Sequence, residues 1–379
     1  MKIAYVTTYD PNDIHAWSGI GYHIHKALQQ SGFSIDYIGN LKDKNKIFMK
    51  IKTRFYKKIL KKNYLSDREH FILNYYAKQI EGILPSINPD IIFSPGTLPI
   101  AYLKTDRPIV FWTDATFAGM IDFYPEFSNL CKRSIREGNR MEQEALSKSR
   151  LAIYASEWAA KTAIDNYDVD PKKVKVVPFG ANVICSRSSE DIKMILKNKN
   201  SEKCQLLFLG VAWERKGGPI ALKTAEILNS EGIKTQLQVV GCNPPGEMPD
   251  FVTRHGFVSK TSPKGRKLLD HLFSEAHFLI LPSRAECAGI VFAEASSFGL
   301  PSLATNVGGI STMVRDNVNG KLFSLNETAE AYSQYIINIM SSKEKFQQLA
   351  ESSFEEYQNK LNWTSAGQHV HKLIQDFCS

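Results

Sequence analysis

The sequence predicts an α/β protein of two domains, each with a parallel sheet between helices. Three observations support this fold class. Short apolar runs alternate with helical patterns along the chain, which is the spacing of βαβ units. A length of 379 residues suits two domains of ordinary size. A polar stretch rich in lysine and asparagine separates the two sets of apolar runs.

Ten of these runs are expected to be strands. In the first half of the chain they are KIAYVTT, SIDYIGN, DIIFSPG, PIVFWTD, LAIYAS and KVKVVPFG, and in the second half QLLFLGV, TQLQVVG, HFLILPS and PSLATNV. Two Rossmann-like halves follow. We expect an N-terminal domain over 1–182, a linker over 183–203, a C-terminal domain over 204–360 and a terminal segment over 361–379 that forms a helix.

Composition excludes several classes of protein. Hydrophobic residues make up 43% of the chain, and no stretch approaches the roughly 20 apolar residues of a membrane span. The opening residues, MKIAYVTTYD, lack a signal-peptide pattern and are expected to form the first strand. Six scattered cysteines without a C-x-x-C pair argue against a zinc site or a disulfide framework. The predicted location is therefore the cytoplasm.

The net charge of +8 is concentrated in one segment. Lys42 to Lys62 contain ten Lys/Arg against one acid, with large apolar residues interleaved. Such a segment can lie on the inner, anionic face of the cell membrane as a peripheral contact. It can equally be a solvated helix whose apolar residues pack on the N-terminal domain. Nucleic-acid binding is not expected, because no RNA- or DNA-binding module pattern is present.

Glu286 and Glu294 lie in LPSRAECAGIVFAEASSFGLP with seven residues between them. The apolar run HFLILPS precedes this segment, so a buried strand, a turn with Gly289 and a helix starting near Ile290 are expected. Free N–H groups at a helix start suit a phosphate. An acid in the turn and another one helical turn inside give the layout expected for a sugar linked to a nucleoside diphosphate. Two solvated acids around an ordinary helix start are the simpler alternative.

This segment resembles the E-x7-E signature of retaining glycosyltransferases of family 4, and GLPSLATNVGG after it resembles the family's next strand and glycine pair. The resemblance implies the GT-B architecture: two Rossmann-like domains whose parallel sheets face across a deep cleft, and a C-terminal helix that crosses back to the N-terminal domain. It also implies that Glu286 contacts the donor sugar and that Glu294 binds the nucleotide's ribose.

LFLGVAWERKGG resembles the family element whose Arg and Lys neutralise the leaving diphosphate. Lys216 lies at the family spacing from Gly210 and is assigned to the phosphates. The family's Arg is Val211 here, which makes Arg215 the candidate substitute. Basic side chains in this role replace the charge of a metal ion. We therefore predict no metal and no cofactor beyond the nucleotide-sugar itself.

Two loops of the first half complete the expected site. Gly19 and Gly21, after the first strand, resemble the family's glycine-rich loop, where a missing Cβ lets the backbone approach the donor diphosphate. At the end of PIVFWTD the family commonly has a His, but this chain has Asp114. Asp114 either binds sugar hydroxyls or takes the acceptor's proton, or it caps the helix beginning near Phe117.

Together with these patterns, the resemblance implies a retaining glycosyltransferase that uses a UDP- or GDP-sugar and a glycan or lipid-linked acceptor. A role in cell-surface polysaccharide synthesis fits the resemblance. Glu286, Lys216 and Asp114 are the predicted catalytic residues. Two alternatives stay open: a UDP-sugar 2-epimerase-like enzyme of the same fold, and a non-catalytic protein that binds nucleotide-sugars.

Overall fold

The computed structural model describes residues 1–183, 185–199 and 202–378. The chain divides into two compact units. Unit 1 consists of Met1–Phe179 together with the chain from Ala366 onward, and unit 2 is Gly180–Ser365.

Unit 1 contains a six-stranded parallel sheet in the order β2-β1-β3-β4-β5-β6. Its strands are β1 (Lys2–Val6), β2 (Ser34–Ile38), β3 (Ile91–Ser94), β4 (Ile109–Thr113), β5 (Ser149–Tyr154) and β6 (Val174–Val176). Every residue of β3 and β4 is buried, as expected for central parallel strands covered by helices on both faces.

The helices of unit 1 are α1 (Ile20–Gln30), α2 (Lys46–Lys58), α3 (His70–Ile87), α4 (Phe117–Met120), α5 (Lys132–Lys148) and α6 (Glu157–Asn166). The terminal helix, α14 (Trp363–Cys378), joins this unit from Ala366. Its Gly367 lies against the α1 backbone, and the His371 ring bonds the Ser31 carbonyl at 2.6 Å. These contacts confirm the expectation that the last helix returns to the N-terminal half.

Unit 2 contains a second six-stranded parallel sheet, in the order β12-β11-β10-β7-β8-β9. The strands are β7 (Cys204–Leu209), β8 (Thr235–Val240), β9 (Val252–Gly256), β10 (Phe278–Leu281), β11 (Ser302–Thr305) and β12 (Gly320–Phe323). The helices are α7 (Ser189–Asn198), α8 (Gly218–Ser230), α9 (Pro263–Glu275), α10 (Ile290–Ser296), α11 (Ile310–Met313), α12 (Ala329–Met340) and α13 (Lys343–Asn359).

All ten predicted runs contain a strand, which confirms the α/β class with two parallel sheets. The sequence missed β9 and β12, the two edge strands of unit 2. Their sequences, VTRHG and GKLF, are short and partly polar because an edge strand needs no continuous apolar run.

The stretch expected to be a linker, 183–203, contains helix α7. A capping box between Ser188 and Asp191 starts this helix, and its own Ile192 is buried. Ile184, Asn200 and Ser201, also in that stretch, lie outside the described residues. Within the described parts of the chain, no helix is both long and apolar enough to span a bilayer.

Candidate active site

Two loops of unit 2 carry most of the predicted site. One follows β7 and contains Arg215 and Lys216, and the other follows β10 and contains Glu286. Strands β7 and β10 are parallel neighbours, so their carboxyl ends meet at the same edge of the sheet. Ligands of open α/β sheets bind at this edge. The topology therefore explains why residues 70 positions apart in sequence come together.

Hydrogen bonds fasten these two loops to each other. The backbone N–H of Arg284 donates to the Arg215 carbonyl at 2.8 Å. The Arg215 guanidinium donates to the Ala285 carbonyl at 2.7 Å. Each loop thus holds the other in place, and the backbone that carries the charged side chains is restrained.

Two cationic side chains lie next to the carboxylate of Glu286. The Lys216 ammonium forms an ion pair with its Oε2, and the Arg215 guanidinium lies 3.8 Å from the same oxygen. Lys216 is only 8% exposed, so water screens this pair poorly. Two positive charges against one negative charge leave a net positive site. Such a site can hold an anion such as a diphosphate while the carboxylate remains an acceptor for hydroxyl groups.

Glycines allow the two loops to approach. Gly217 has φ +78°, and a Cβ there would collide with the Pro282 carbonyl of the other loop. A Cβ on Gly210 would press on the stem of Lys216. The glycines of the G-x5-K-G pattern, Gly210 and Gly217, therefore let the β7 loop pass close to the β10 loop and deliver Lys216 to Glu286.

The turn after Glu286 leads into α10 as predicted. Gly289, at φ +73°, is the N-cap residue, and α10 begins at Ile290. The Glu286 carbonyl accepts a hydrogen bond from Gly309 N–H at 3.0 Å, so the glycine pair after β11 supports the backbone of Glu286. Helix α10 has seven residues, and the charge of the site comes chiefly from Lys216 and Arg215 rather than from its dipole.

Glu294 lies on α10 and is fully buried. Its Oε1 is ion-paired with Lys260, whereas Oε2 has no hydrogen-bond partner among the residues described here. The Lys260 side chain is 41% exposed, so movement of this lysine would open the carboxylate to a ligand. The sequence did not single out Lys260, because it lies in the polar run SKTSPKG among other lysines. Ribose binding by Glu294 stays a prediction.

The glycine loop of unit 1 begins at the end of β1. Gly19 has φ +81° and is the N-cap residue of α1, and Gly21 lies beneath the Tyr9 hydroxyl, which leaves no room for a Cβ. Trp17 and Ser18 before them also adopt the left-handed region, at φ 47° and 55°. Non-glycine residues in that region cost about 1–3 kcal/mol each, and such strain is concentrated at functional sites.

Asp114 follows β4 and is half-buried in the lining of a cavity of about 300 Å³. It does not cap α4. The cap is Thr116, whose hydroxyl accepts the Gly119 N–H at 3.0 Å. Of the two alternatives for Asp114, contact with a ligand therefore remains as the prediction.

The same cavity contains a carboxyl that the sequence did not single out. Glu142 is 2% exposed, and its Oε2 accepts the Thr97 hydroxyl at 2.9 Å. Its Oε1 is without a hydrogen-bond partner within the described chain. Burial raises the pKa of Glu142 to about 7, although the Thr97 hydrogen bond and the Arg68 charge act to lower it. An acid on the apolar face of an amphipathic helix was the available signal.

Unit 2 thus brings Lys216, Arg215, Glu286 and Gly289 into one site, and unit 1 carries Gly19, Gly21 and Asp114. Over residues 1–183, 185–199 and 202–378, no three His, Cys, Asp or Glu side chains are grouped so that they could hold a metal ion. The absence of a metal cofactor stays a prediction.

Residues 190–356 match the family model described as Glycosyl transferases group 1. D-inositol 3-phosphate glycosyltransferase from Frankia alni is 29% identical over 196 residues, which cover 48% of this chain and 48% of that protein. The protein of the same name from Geodermatophilus obscurus is 25% identical over 219 residues, covering 54% and 48%. The chain therefore spans about half the length of the curated relatives it matches.

Two solved structures resemble the whole chain. Sucrose-phosphate synthase from Thermosynechococcus elongatus has a TM-score of 0.69 at 16% identity, covering 99% of this chain and 98% of that one. HepE from Anabaena in complex with UDP-glucose has a TM-score of 0.64 at 15% identity, covering 99% and 100%. At these identities the likeness concerns the fold alone, and it confirms the predicted GT-B class.

Proposed function

We propose that this protein is a retaining glycosyltransferase that moves a sugar from a UDP- or GDP-sugar to a glycan or lipid-linked acceptor. The observation that carries the proposal is the pair of cations on Glu286 at the carboxyl edge of the unit 2 sheet. This site lies within residues 190–356, the segment that matches the glycosyl transferase model. The names of the curated relatives support the same activity.

Lys216 and Arg215 would stabilise the leaving group. When the bond between the sugar's anomeric carbon and the donor phosphate breaks, negative charge grows on the departing diphosphate. An ammonium has three donors, so Lys216 can keep its bond to Glu286 and still donate to a phosphate oxygen. Fixed cations in a poorly hydrated site stabilise developing charge without reorganising, and for this reason the proposal needs no metal ion.

Glu286 would position the sugar by accepting hydrogen bonds from its hydroxyls. We propose that it does not act as a nucleophile. The acceptor oxygen attacks the anomeric carbon from the face that the diphosphate leaves, and a phosphate oxygen takes the acceptor's proton. The configuration at the anomeric carbon is then retained. Unit 1 is proposed to bind the acceptor, with Asp114 contacting hydroxyls.

Acceptor-dependent release of nucleoside diphosphate tests this function. Purified protein is incubated with UDP-, GDP-, ADP- and dTDP-sugars, with and without a panel of glycan and lipid-linked acceptors. We expect release of UDP or GDP only when both substrates are present, and products with the donor's anomeric configuration by NMR. Glu286→Ala and Lys216→Ala should abolish release, whereas Lys223→Ala, an exposed lysine on α8, should retain it.

The two alternatives give different results in the same assay. An epimerase-like enzyme would convert the UDP-sugar or release UDP without any acceptor. A non-catalytic protein would bind a nucleotide-sugar, detected by thermal shift, and release nothing with any acceptor. A cell-surface polysaccharide or lipid-linked acceptor is favoured by analogy with the family and by the basic segment 42–62, because a lipid-linked acceptor requires contact with a membrane surface.

A further inference from the structure

Helix α2 presents three different faces. At 3.6 residues per turn, its residues fall on three arcs of about 80° to 120° each. One arc holds Met49, Lys52, Thr53 and Tyr56, all buried or half-buried. The second arc holds the apolar residues Ile47, Phe48, Ile51, Phe55 and Ile59, and Lys58 joins it in the last turn, on the side next to the basic arc. The third arc holds the basic residues Lys46, Lys50, Arg54 and Lys57. Two surfaces of the helix are therefore exposed to solvent, one mainly apolar and the other basic.

The first arc attaches α2 firmly to unit 1. Met49 is 5% exposed within the core, and the Tyr56 ring stacks on Tyr64 with centroids 4.7 Å apart. Lys52 forms an ion pair at 3.1 Å with Glu69, a buried carboxylate that Arg133 also binds. The need of this helix to bury a face is met by these contacts, so the second apolar arc is not required for folding.

The second arc is exposed to an unusual degree. The exposed fractions are 78% for Ile47, 60% for Phe48, 61% for Ile51, 52% for Phe55, 66% for Ile59 and 47% for the adjoining Leu60. These six are among fifteen exposed large apolar side chains over the described parts of the chain. Large apolar residues gathered on one exposed surface mark an interaction site rather than ordinary surface composition.

We propose that α2 docks unit 1 on an anionic lipid surface, lying in the plane of the membrane with the second arc among the acyl chains. The basic arc, next to it around the helix, would then lie at the level of the phosphate headgroups. Ten Lys/Arg against one acid between Lys42 and Lys62 give the charge complementarity for such a surface. The adjacent arrangement of apolar and basic arcs matches the two layers of a membrane interface, and it favours lipid over a protein partner.

This inference does not depend on glycosyl transfer, because lipid binding is measured without donor or acceptor. A protein that transfers sugar but does not bind vesicles would refute the docking surface alone. One that binds vesicles but releases no nucleotide under any acceptor would refute the proposed function alone. The Lys216→Ala variant, altered in unit 2, should bind vesicles as the unaltered protein does.

Vesicle co-sedimentation of the full chain tests the proposal. The vesicles are phosphatidylcholine alone, or phosphatidylcholine with about a third phosphatidylglycerol, at low and high salt. We expect the protein to pellet with the anionic vesicles at least tenfold more tightly than with the neutral ones. High salt should weaken binding, since it screens the basic arc.

Two variants separate the arcs. Phe48→Ser/Ile51→Ser/Phe55→Ser removes the apolar arc, and Lys46→Glu/Lys50→Glu/Lys57→Glu reverses the basic arc. Each should lower vesicle affinity at least tenfold while leaving the melting temperature unchanged, because these side chains are exposed. Matched controls lie in unit 2: Phe257→Ser at a 77% exposed phenylalanine, and Lys264→Glu/Lys267→Glu on α9. Both controls should bind vesicles normally.

Several results would overturn the proposal. Equal binding to neutral and anionic vesicles, no binding to either, or unchanged binding by both triple variants would each do so. The unaltered protein could instead self-associate and fail to bind vesicles. If the Phe48→Ser/Ile51→Ser/Phe55→Ser variant then lost the self-association, the second arc would be a protein interface.

Discussion

Glu286 in unit 2 and Glu142 in unit 1 are both poorly exposed carboxyl groups, but their surroundings differ. Glu286 is bordered by Lys216 and Arg215, which supply more positive charge than it needs. Glu142 has a hydroxyl from Thr97 on one oxygen, and burial raises its pKa to about 7. Two cations on the loop after β7, next to a carboxylate on the loop after β10, create a site for an anion in the first case. In the second, burial outweighs the Thr97 hydrogen bond and the Arg68 charge, and it creates a group that changes charge near neutrality.

The largest effect is expected from breaking the Lys216–Glu286 pair. Each of Lys216→Ala and Glu286→Ala should lower acceptor-dependent turnover by about 10²–10³-fold or more, because each removes a preorganised group at the reacting centre. The double variant should lose no more than about tenfold beyond the worse single variant, since paired groups act as a unit. Turnover measured for all three variants checks this.

The exposed pair Lys223–Glu226, at 3.0 Å on α8, is the control for that cycle. Its alanine variants should keep turnover unchanged. If the fold-loss of turnover in the double variant equalled the product of the losses in Lys216→Ala and Glu286→Ala, the two residues would act independently. That result would contradict the proposed pair.

The contrast with Glu142 is tested by the pH dependence of stability. Because its pKa in the folded protein lies above the ordinary value of 4.5, Glu142 favours the folded state at acid pH, and that stability is lost as pH rises from 4.5 to about 7. The difference between the pKa values of 4.5 and about 7 corresponds to about 3 kcal/mol of unfolding free energy. Glu142→Gln removes this titration. The melting temperature of the variant relative to the unaltered protein should therefore rise between pH 5 and pH 8.

Glu144→Gln, at a more exposed acid on the same helix, is the matched control for the substitution itself. A constant difference between Glu142→Gln and the unaltered protein across this pH range would show that Glu142 does not titrate as stated.

Alanine substitutions at two glycines test how closely the loops after β7 and β10 pack against each other. Gly217→Ala and Gly232→Ala both place a Cβ at positive φ, +78° and +83°. Only Gly217 faces the Pro282 carbonyl, whereas the space beside Gly232 is open. Gly232→Ala should cost about 1 kcal/mol, and Gly217→Ala about 1–3 kcal/mol more. Thermal unfolding measures both, and equal losses would mean that the loop contact is not tight.

The smallest effect is expected at Arg215, which lies farther from Glu286 than Lys216 does. Arg215→Ala should lower turnover by about tenfold, through loss of one cation and of the hydrogen bond to the Ala285 carbonyl. Arg215→Lys should recover part of the loss, because it keeps the charge but not the bonding geometry. Turnover equal to that of the unaltered protein in Arg215→Ala would remove this residue from the site.

Much of the fold was predictable because central parallel strands are buried on both faces and appear as continuous apolar runs. The edge strands β9 and β12 lack that signal. Glu286 and Lys216 were singled out through the resemblance of their loops to the family's motifs, and the glycines of those loops allow the two side chains to meet. Lys260 and Glu142 were not singled out, since their roles depend on neighbours distant in sequence: Glu294 is 34 positions from Lys260, and Thr97 is 45 positions from Glu142.

Calorimetric titration of UDP and GDP into the unaltered protein, Lys216→Ala and Lys223→Ala tests the central claim most directly. The claim is that Lys216 and Arg215, gathered at Glu286, form a site for the diphosphate of a nucleotide-sugar. We expect the unaltered protein and Lys223→Ala to bind one of the two nucleotides with equal affinity, and Lys216→Ala to bind it at least tenfold more weakly. Binding of neither nucleotide, or equal affinity in all three proteins, would contradict the claim.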